Sequence, residues 1–436
     1  MFKDKKILVC GMARSGLSVA KLLKELGAQV TVQDRKPEID WGEYNPVGIV
    51  QHLGHDPDGI IGEFELVIIS PGITVYAPFV QKAQKLGIPV WGEAELAFRL
   101  CPCPMVAITG TNGKTTVTTL VGEILRRHNA GTVIGGNIGI PLTELVTTLS
   151  PENIVVAEIS SFQLETIAAF KPGISAVLNM TEDHLDRHHT MENYIAVKSR
   201  IFENQSESDV TVLGYDNEIT RAMKPPGRVV YFSAREELNT GVYLRDGFIV
   251  ADGVKIAEMA GLKIMPENAL AATALSLYAG APAEAIAAGL AAFTGVPHRM
   301  EYVATINDVE YFNDSKATNV DSAIKAIESA SAPIVLIGGG YDKNTDFTSW
   351  VKSFGEKVKK LVIIGQTTQK IVDTCELLGF TNYVCVDTLQ EAVSIARQAA
   401  LPGWKVIFSP ACASFDMFKN FEERGDVFKQ AVLAVS

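Results

Sequence analysis

The segment Ile108-Thr109-Gly110-Thr111-Asn112-Gly113-Lys114-Thr115-Thr116 concentrates more reactive groups than any other stretch of this chain. An apolar run at 105–108 reads as a buried strand. Behind the glycines, Val117, Leu120, Val121, Ile124 and Leu125 recur at helical spacing. Strand, glycine turn, lysine and helix together make a cradle for phosphate. The turn's N–H groups and the helix N-terminus supply partial positive charge, and Lys114 adds a full one. The Thr115 hydroxyl is placed to hold a magnesium ion. The common phosphate-loop spacing would put its first glycine at position 108, where this chain has Ile108. A lysine directly after Gly113 has no use in turn geometry, so the phosphate reading stands.

Other candidates sit at the ends of apolar runs. Glu158 lies in the run 154–159. A lone carboxylate in a buried strand is costly unless it is paired or bound to metal, and we read it as a magnesium ligand. Thr181-Glu182-Asp183-His184-Leu185-Asp186-Arg187-His188-His189 follows the apolar run 174–178. His184 is its metal candidate, whereas His188 and His189 read as solvated helix-entry residues. Lys198 falls on the apolar face of a helix expected at 193–202, with Tyr194, Val197 and Ile201. Taken locally, that pattern predicts a buried stem with its ammonium reaching solvent.

The elements that carry these residues fall into three α/β units. The first opens with a strand at 6–10, a turn reading G-x-A-x-x-G from Gly11 to Gly16, and a helix with Val19, Leu22, Leu23 and Leu26 inward and Gly27 as its stop. A strand at 29–33 ends in Asp34, where a ribose-binding acid would sit in a Rossmann-like unit. Ala13 occupies the slot where a glycine admits a pyrophosphate, which weakens an NAD reading. Ser70-Pro71-Gly72 forms a second strand-end loop. The next unit starts near Glu93, and 203–268 mixes short strands and turns. After Gly295-Val296-Pro297-His298-Arg299, strands at 334–337, 361–364, 383–386 and 406–408 alternate with helical stretches, which implies another mostly parallel sheet. Three of its loops follow strands: Asn313-Asp314-Ser315-Lys316-Ala317-Thr318-Asn319, Gly338-Gly339-Gly340-Tyr341-Asp342-Lys343 and Ser409-Pro410-Ala411-Cys412-Ala413-Ser414-Phe415-Asp416. Ligands bind at such ends in open parallel sheets.

A length of 436 residues suggests about three domains, and 47% hydrophobic residues suffice for several cores. The net charge of −11 argues against a general nucleic-acid or anionic-membrane surface. Six cysteines without a C-x-x-C pair suit a reduced, cytoplasmic protein. No signal-peptide core and no run long enough to span a membrane is expected. We expect a monomer.

Taken together, these motifs resemble the Mur ligase family, the ATP-dependent amide-bond ligases of bacterial cell-wall synthesis, and most of all its D-glutamate-adding members. Gly135-Gly136-Asn137-Ile138-Gly139 and Glu158-Ile159-Ser160-Ser161-Phe162-Gln163-Leu164 add to the resemblance, which covers essentially the whole chain. It implies a Rossmann-like, UDP-binding domain at 1–93, a central P-loop ATPase-like domain at 94–298, and a Rossmann-like, amino-acid-binding domain at 299–436. Arg14, Ser15, Asp34, Arg35, Gly72 and Asn137 would hold UDP-N-acetylmuramoyl-L-alanine. Gly110, Thr111, Asn112, Gly113, Lys114, Thr115, Thr116, Asn268, Arg299 and Asp314 would hold ATP. Lys316, Thr318, Lys343, Ser414 and Phe421 would hold D-glutamate. Lys114, His184 and Lys198 would be catalytic. Thr115, Glu158, His184 and Lys198 would serve two magnesium ions, with Lys198 N-carboxylated by carbon dioxide instead of reaching solvent. Two other readings are a folylpolyglutamate synthetase-like ligase, which shares the central chemistry, and a non-catalytic or NAD-dependent nucleotide-binding protein.

Overall fold

Apolar strands that lead into glycine turns and amphipathic helices build three parallel-rich sheets among the described residues, 1–434 of this computed structural model. The chain divides into two compact units, Met1–Phe293 and Thr294–Ser436. The first unit contains two of the sheets. One is five-stranded and all parallel, in the order Val50–Leu53, Gln29–Asp34, Lys6–Cys10, Leu66–Ile69, Val90–Gly92. The other is nine-stranded. Its parallel centre runs Arg228–Ser233, Val210–Gly214, Ile174–Val177, Met105–Thr109, Ile154–Glu158, Thr132–Gly136; Val242–Arg245 adds in parallel beside Arg228–Ser233 and continues as an antiparallel meander through Phe248–Ala251 and Val254–Glu258.

The helix Lys114–His128 buries Val117, Leu120, Val121, Ile124 and Leu125 completely, as their spacing requires. Each such side chain contributes about 1.5–3 kcal/mol of burial, enough to anchor the helix N-terminus at the phosphate turn. In helix Arg14–Glu25 the expected inward set holds for Val19, Leu22 and Leu23 but not Leu26, which is 36% exposed. Leu26 caps the helix, and Gly27 turns the chain away at a φ of +80°. The helix expected at 193–202 runs Met191–Ser199 and tightens into a 3₁₀ turn at Arg200–Phe202.

Two buried carboxylates join the sheets of the first unit. Glu95 accepts from the N–H groups of Ala168, Ala169 and Phe170 at 2.9 Å each, and from Arg99 Nε. Glu93 accepts from Thr143 N–H at 2.8 Å, while Thr143 Oγ1 lies 2.6 Å from Ser18 Oγ. Burial pushes the Glu93 carboxyl upward despite these bonds.

The second unit holds a six-stranded sheet in the order Glu301–Ile306, Val309–Asn313, Lys405–Phe408, Ile334–Gly338, Val358–Ile363, Tyr383–Cys385. It is parallel except for the edge hairpin formed by its first two strands.

Candidate active site

In the first unit the site is built on the carboxyl ends of the central parallel strands. Gly110 and Gly113 have φ of +144° and +85°, conformations an L side chain rarely adopts. A Cβ on Gly113 would meet Asn268 Oδ1 at 2.5 Å, so the helix Pro266–Tyr278 sets Asn268 directly against the turn. Lys114 Nζ curls back to the carbonyls of Gly110 (3.0 Å) and Thr111 (2.8 Å). Thr115 is half-buried and Thr116 buried.

Asn179 holds the turn from the next strand end. Its Oδ1 accepts from Asn112 N–H at 2.9 Å, its Nδ2 donates to Asn112 O at 3.1 Å, and its carbonyl takes Thr111 N–H. Thr111 Oγ1 meets Thr181 and lies 3.3 Å from the Tyr194 hydroxyl. Neither Asn179 nor Tyr194 stood out as a site residue in the sequence. An asparagine immediately after an apolar strand was the available signal.

Glu158 is 2% exposed at the end of its strand. Its Oε1 accepts from Asn137 Nδ2 at 2.7 Å, and its Oε2 is buried without a hydrogen-bond partner. Lys198 is also buried. Its Nζ donates to Gly110 O at 2.8 Å and Thr109 Oγ1 at 3.2 Å. The snorkelling expectation is therefore wrong: Tyr194, Lys198 and Ile201 are all buried, and the ammonium end turns inward onto the Gly110 carbonyl and Thr109 hydroxyl. Burial first, and then the Lys114 charge, hold the Lys198 amine well below the ordinary lysine range, while Asp183 and Glu158 pull it upward. His184 adopts a left-handed conformation at φ +55°, with Nε2 3.7 Å from Asp183 Oδ2 and its ring 4.8 Å from that of Phe162.

His188 is a correction. It is buried, its Nε2 lies 3.0 Å from Ser161 Oγ, and its Nδ1 is 3.6 Å from Glu165. The short helix Leu185–His188 turns it inward against Phe162 and Tyr194. His189 is exposed, as expected. Among the described residues, no group of three or more His, Cys, Asp or Glu has metal-binding geometry.

The five-stranded sheet presents a second set of loops. Gly16 must be glycine, because a Cβ there would lie 1.9 Å from Gly11 O. Asp34 accepts from Met12 N–H at 2.7 Å and Lys36 N–H at 2.9 Å, so its carboxylate shapes the loop carrying Arg14 and Ser15. Arg35 forks onto Asp56 at 2.9 and 3.0 Å and is otherwise exposed. Gly72 is exposed in the neighbouring loop, whose Ser70 abuts Gly11.

In the second unit, Asp314 is fully buried. It accepts from Ser409 Oγ at 2.7 Å and Met300 N–H at 3.2 Å, and Arg299 Nη1 lies 3.6 Å away. Burial still raises its carboxyl above the usual range. Arg424, missed in the sequence, lies in the first turn of the helix Phe421–Ala434, bonds Ser315, Cys412 and Ala413 at 2.7–3.0 Å and ties two strand-end loops together. Lys316 Nζ stands 4.9 Å over the Phe421 ring, Ser414 is buried, and Thr318 and Lys343 are half-buried.

Comparison with known proteins decides the family. Residues 5–92 match a Mur ligase MurD-like N-terminal domain, 108–265 a Mur ligase middle domain, and 298–412 a Mur ligase glutamate ligase domain. The chain belongs to the Mur ligase family. A UDP-N-acetylmuramoylalanine–D-glutamate ligase of Caldanaerobacter subterraneus is 44% identical over 99% of this chain and 98% of its own. One from Pelotomaculum thermopropionicum is 46% identical over 100% and 98%. The fold is shared with UDP-N-acetylmuramate–alanine ligase MurC from Thermotoga maritima, with a TM-score of 0.63 at 19% identity over 99% of this chain and 100% of that one. It is shared too with MurF ligase from Thermotoga maritima in complex with ADP, with a TM-score of 0.61 at 14% identity over 100% and 96%.

Proposed function

We propose that this chain is an ATP-dependent ligase that joins D-glutamate to UDP-N-acetylmuramoyl-L-alanine in the cytoplasm, as a monomer, during peptidoglycan precursor synthesis. The observation that carries this reading is the set about the phosphate turn, half-buried Lys114 with buried Glu158 and Lys198, in a chain that aligns end to end with D-glutamate ligases. Domain edges at 93/94 and 298/299 complete the proposal.

A carboxylate is a poor acyl donor. Transfer of the γ-phosphoryl group of ATP to the L-alanyl carboxylate releases ADP and leaves an acyl phosphate. The D-glutamate amine then attacks the carbonyl, phosphate departs, and an amide remains. Lys114 and the N–H groups of residues 110–116 would stabilise charge on the transferring group. Asn268, Arg299 and Asp314 are assigned to the rest of ATP. Arg14, Ser15, Asp34, Arg35, Gly72 and Asn137 are assigned to the sugar nucleotide, and Lys316, Thr318, Lys343, Ser414 and Phe421 to D-glutamate.

The residues present fit magnesium, because the buried Glu158 Oε2 has no protein partner. Thr115, Glu158, His184 and a carboxylated Lys198 would hold two ions, which when bound neutralise phosphoryl charge. Burial favours the deprotonated form of the Lys198 amine, whose lone pair would attack carbon dioxide to give a carbamate and a proton. The carbamate would place an anion near Lys114, where a protonated Lys198 would be repelled, and would add a second anionic ligand to Glu158.

ADP release with UDP-N-acetylmuramoyl-L-alanine, measured across a panel of D- and L-amino acids, tests the reading. D-Glutamate is expected to be fastest. Faster turnover with L-lysine or meso-diaminopimelate overturns it.

A further inference from the structure

Arg187 connects loops that the proposed reaction treats separately. Its Nη1 donates to Pro71 O at 2.8 Å and its Nη2 to Ile73 O at 2.9 Å, both in the strand-end loop that carries Gly72. The same guanidinium forks onto both Glu165 oxygens, with Nε to Oε1 at 3.0 Å. Its flat face lies 4.2 Å from the Phe162 ring, and that ring packs against His184. Three residues earlier in the chain, the His184 carbonyl accepts from the N–H groups of Arg187 and His188 at 3.1 and 3.0 Å. The backbone turn therefore places Arg187 relative to His184, and the side chain places Pro71 and Ile73 relative to both. The Arg187 side chain is 10% exposed and that of Glu165 is 4% exposed.

We infer that Arg187 is a positioning residue, a strut that sets the distance between the sugar-nucleotide loop at 70–73 and the reacting end at His184. The inference rests on the function proposed above. A planar fork used on both edges and on one face has a single orientation, which a flexible chain of single bonds does not reproduce. Lysine supplies the charge for Glu165 but cannot also reach both carbonyls and stack on Phe162. The sugar nucleotide must span the two anchors, so an error in their separation affects its binding and the alignment of its carboxylate, while ATP held by residues 110–116 is untouched.

Steady-state kinetics of Arg187→Lys and Arg187→Gln test the strut. The expected result is a KM for UDP-N-acetylmuramoyl-L-alanine raised about tenfold and a kcat lowered about tenfold in Arg187→Lys, with a larger loss in Arg187→Gln and the KM for ATP within about twofold of wild type. Folded variants with wild-type kinetics, or with equal losses for all three substrates, overturn it. Hydrogen exchange of the wild-type protein with UDP alone gives a test that does not depend on variant folding. UDP lacks the arm that would reach His184, so protection at 184–189 as well as at 70–73 supports the strut. Protection confined to the first sheet's loops overturns it. Wild-type protein that makes no amide product refutes the proposed reaction instead, and UDP that protects neither 11–16 nor 70–73 refutes the proposed UDP site. In both cases the comparison of Arg187 variants with wild type in the remaining assay still decides the strut.

Discussion

The two strand-end sites differ in how their buried charges are satisfied. Around the phosphate turn, Glu158 keeps one oxygen without a protein partner and Lys198 is an amine held far from its ordinary titration range. In the second unit, Asp314 and Arg424 are as deeply buried but bonded on several sides by their own chain. Burial of a polar group is costly wherever it occurs. A region that leaves this cost uncompensated needs a ligand to complete it. A region that compensates it internally is a frame that presents other side chains. The first description suits charge chemistry at a phosphoryl group, and the second suits a frame for the residues proposed to hold ATP and D-glutamate.

If that contrast is right, the largest loss belongs to Lys114. Lys114→Ala should lower phosphate release by roughly a thousandfold or more, since in the proposed mechanism the lysine acts on transition-state charge. Binding of the UDP substrate, measured by calorimetry, should be largely retained, and loss of both in a folded variant would mean the two sites are not independent. On the proposed carboxylation, Lys198→Ala would remove an anionic metal ligand and should lower turnover by roughly a hundredfold or more. Acetate should restore part of that activity, because on the proposed reading it would supply the negative group that the carbamate provides. Near-normal turnover without added carboxylate would break the comparison at its strongest point.

Arg424→Leu should behave differently. It strands three carbonyls and a hydroxyl, so denaturant unfolding of the second unit should lose about 3 kcal/mol. The KM for D-glutamate should rise while UDP-substrate binding stays unchanged. The smallest effect concerns pH. Burial lowers the pKa of His188 in the first unit and His298 in the second, so each takes up a proton less readily than in the unfolded chain. The unfolded state then binds more protons, and stability falls as pH drops below about 6.5, by at most about 1.4 kcal/mol per pH unit for each group. Glu93 and Asp314, raised by burial, oppose this trend at lower pH. Thermal melts of His188→Asn between pH 7.5 and 5.5 should show a shallower slope than wild type.

Local pattern was enough to determine much of this molecule. The strands at 6–10, 105–108, 154–159 and 334–337, the helix behind Lys114 and the position of Glu158 at a strand end all follow from apolar periodicity and glycine placement. Those are properties of neighbouring residues, and hydrophobic burial enforces them whatever surrounds them. Tertiary structure alone decided where polar side chains point. His188 reads as solvated from its charged neighbours, yet it is drawn under Phe162 by a four-residue helix. Arg187, Asn179 and Arg424 look like ordinary polar residues in sequence, because their partners lie 116, 67 and 109 positions away. Lys198 shows the division within one residue. Helical spacing turned it inward, but only the packing of Tyr194 and the Gly110 carbonyl closed its route to water, because desolvation is set by every chain segment around a group at once.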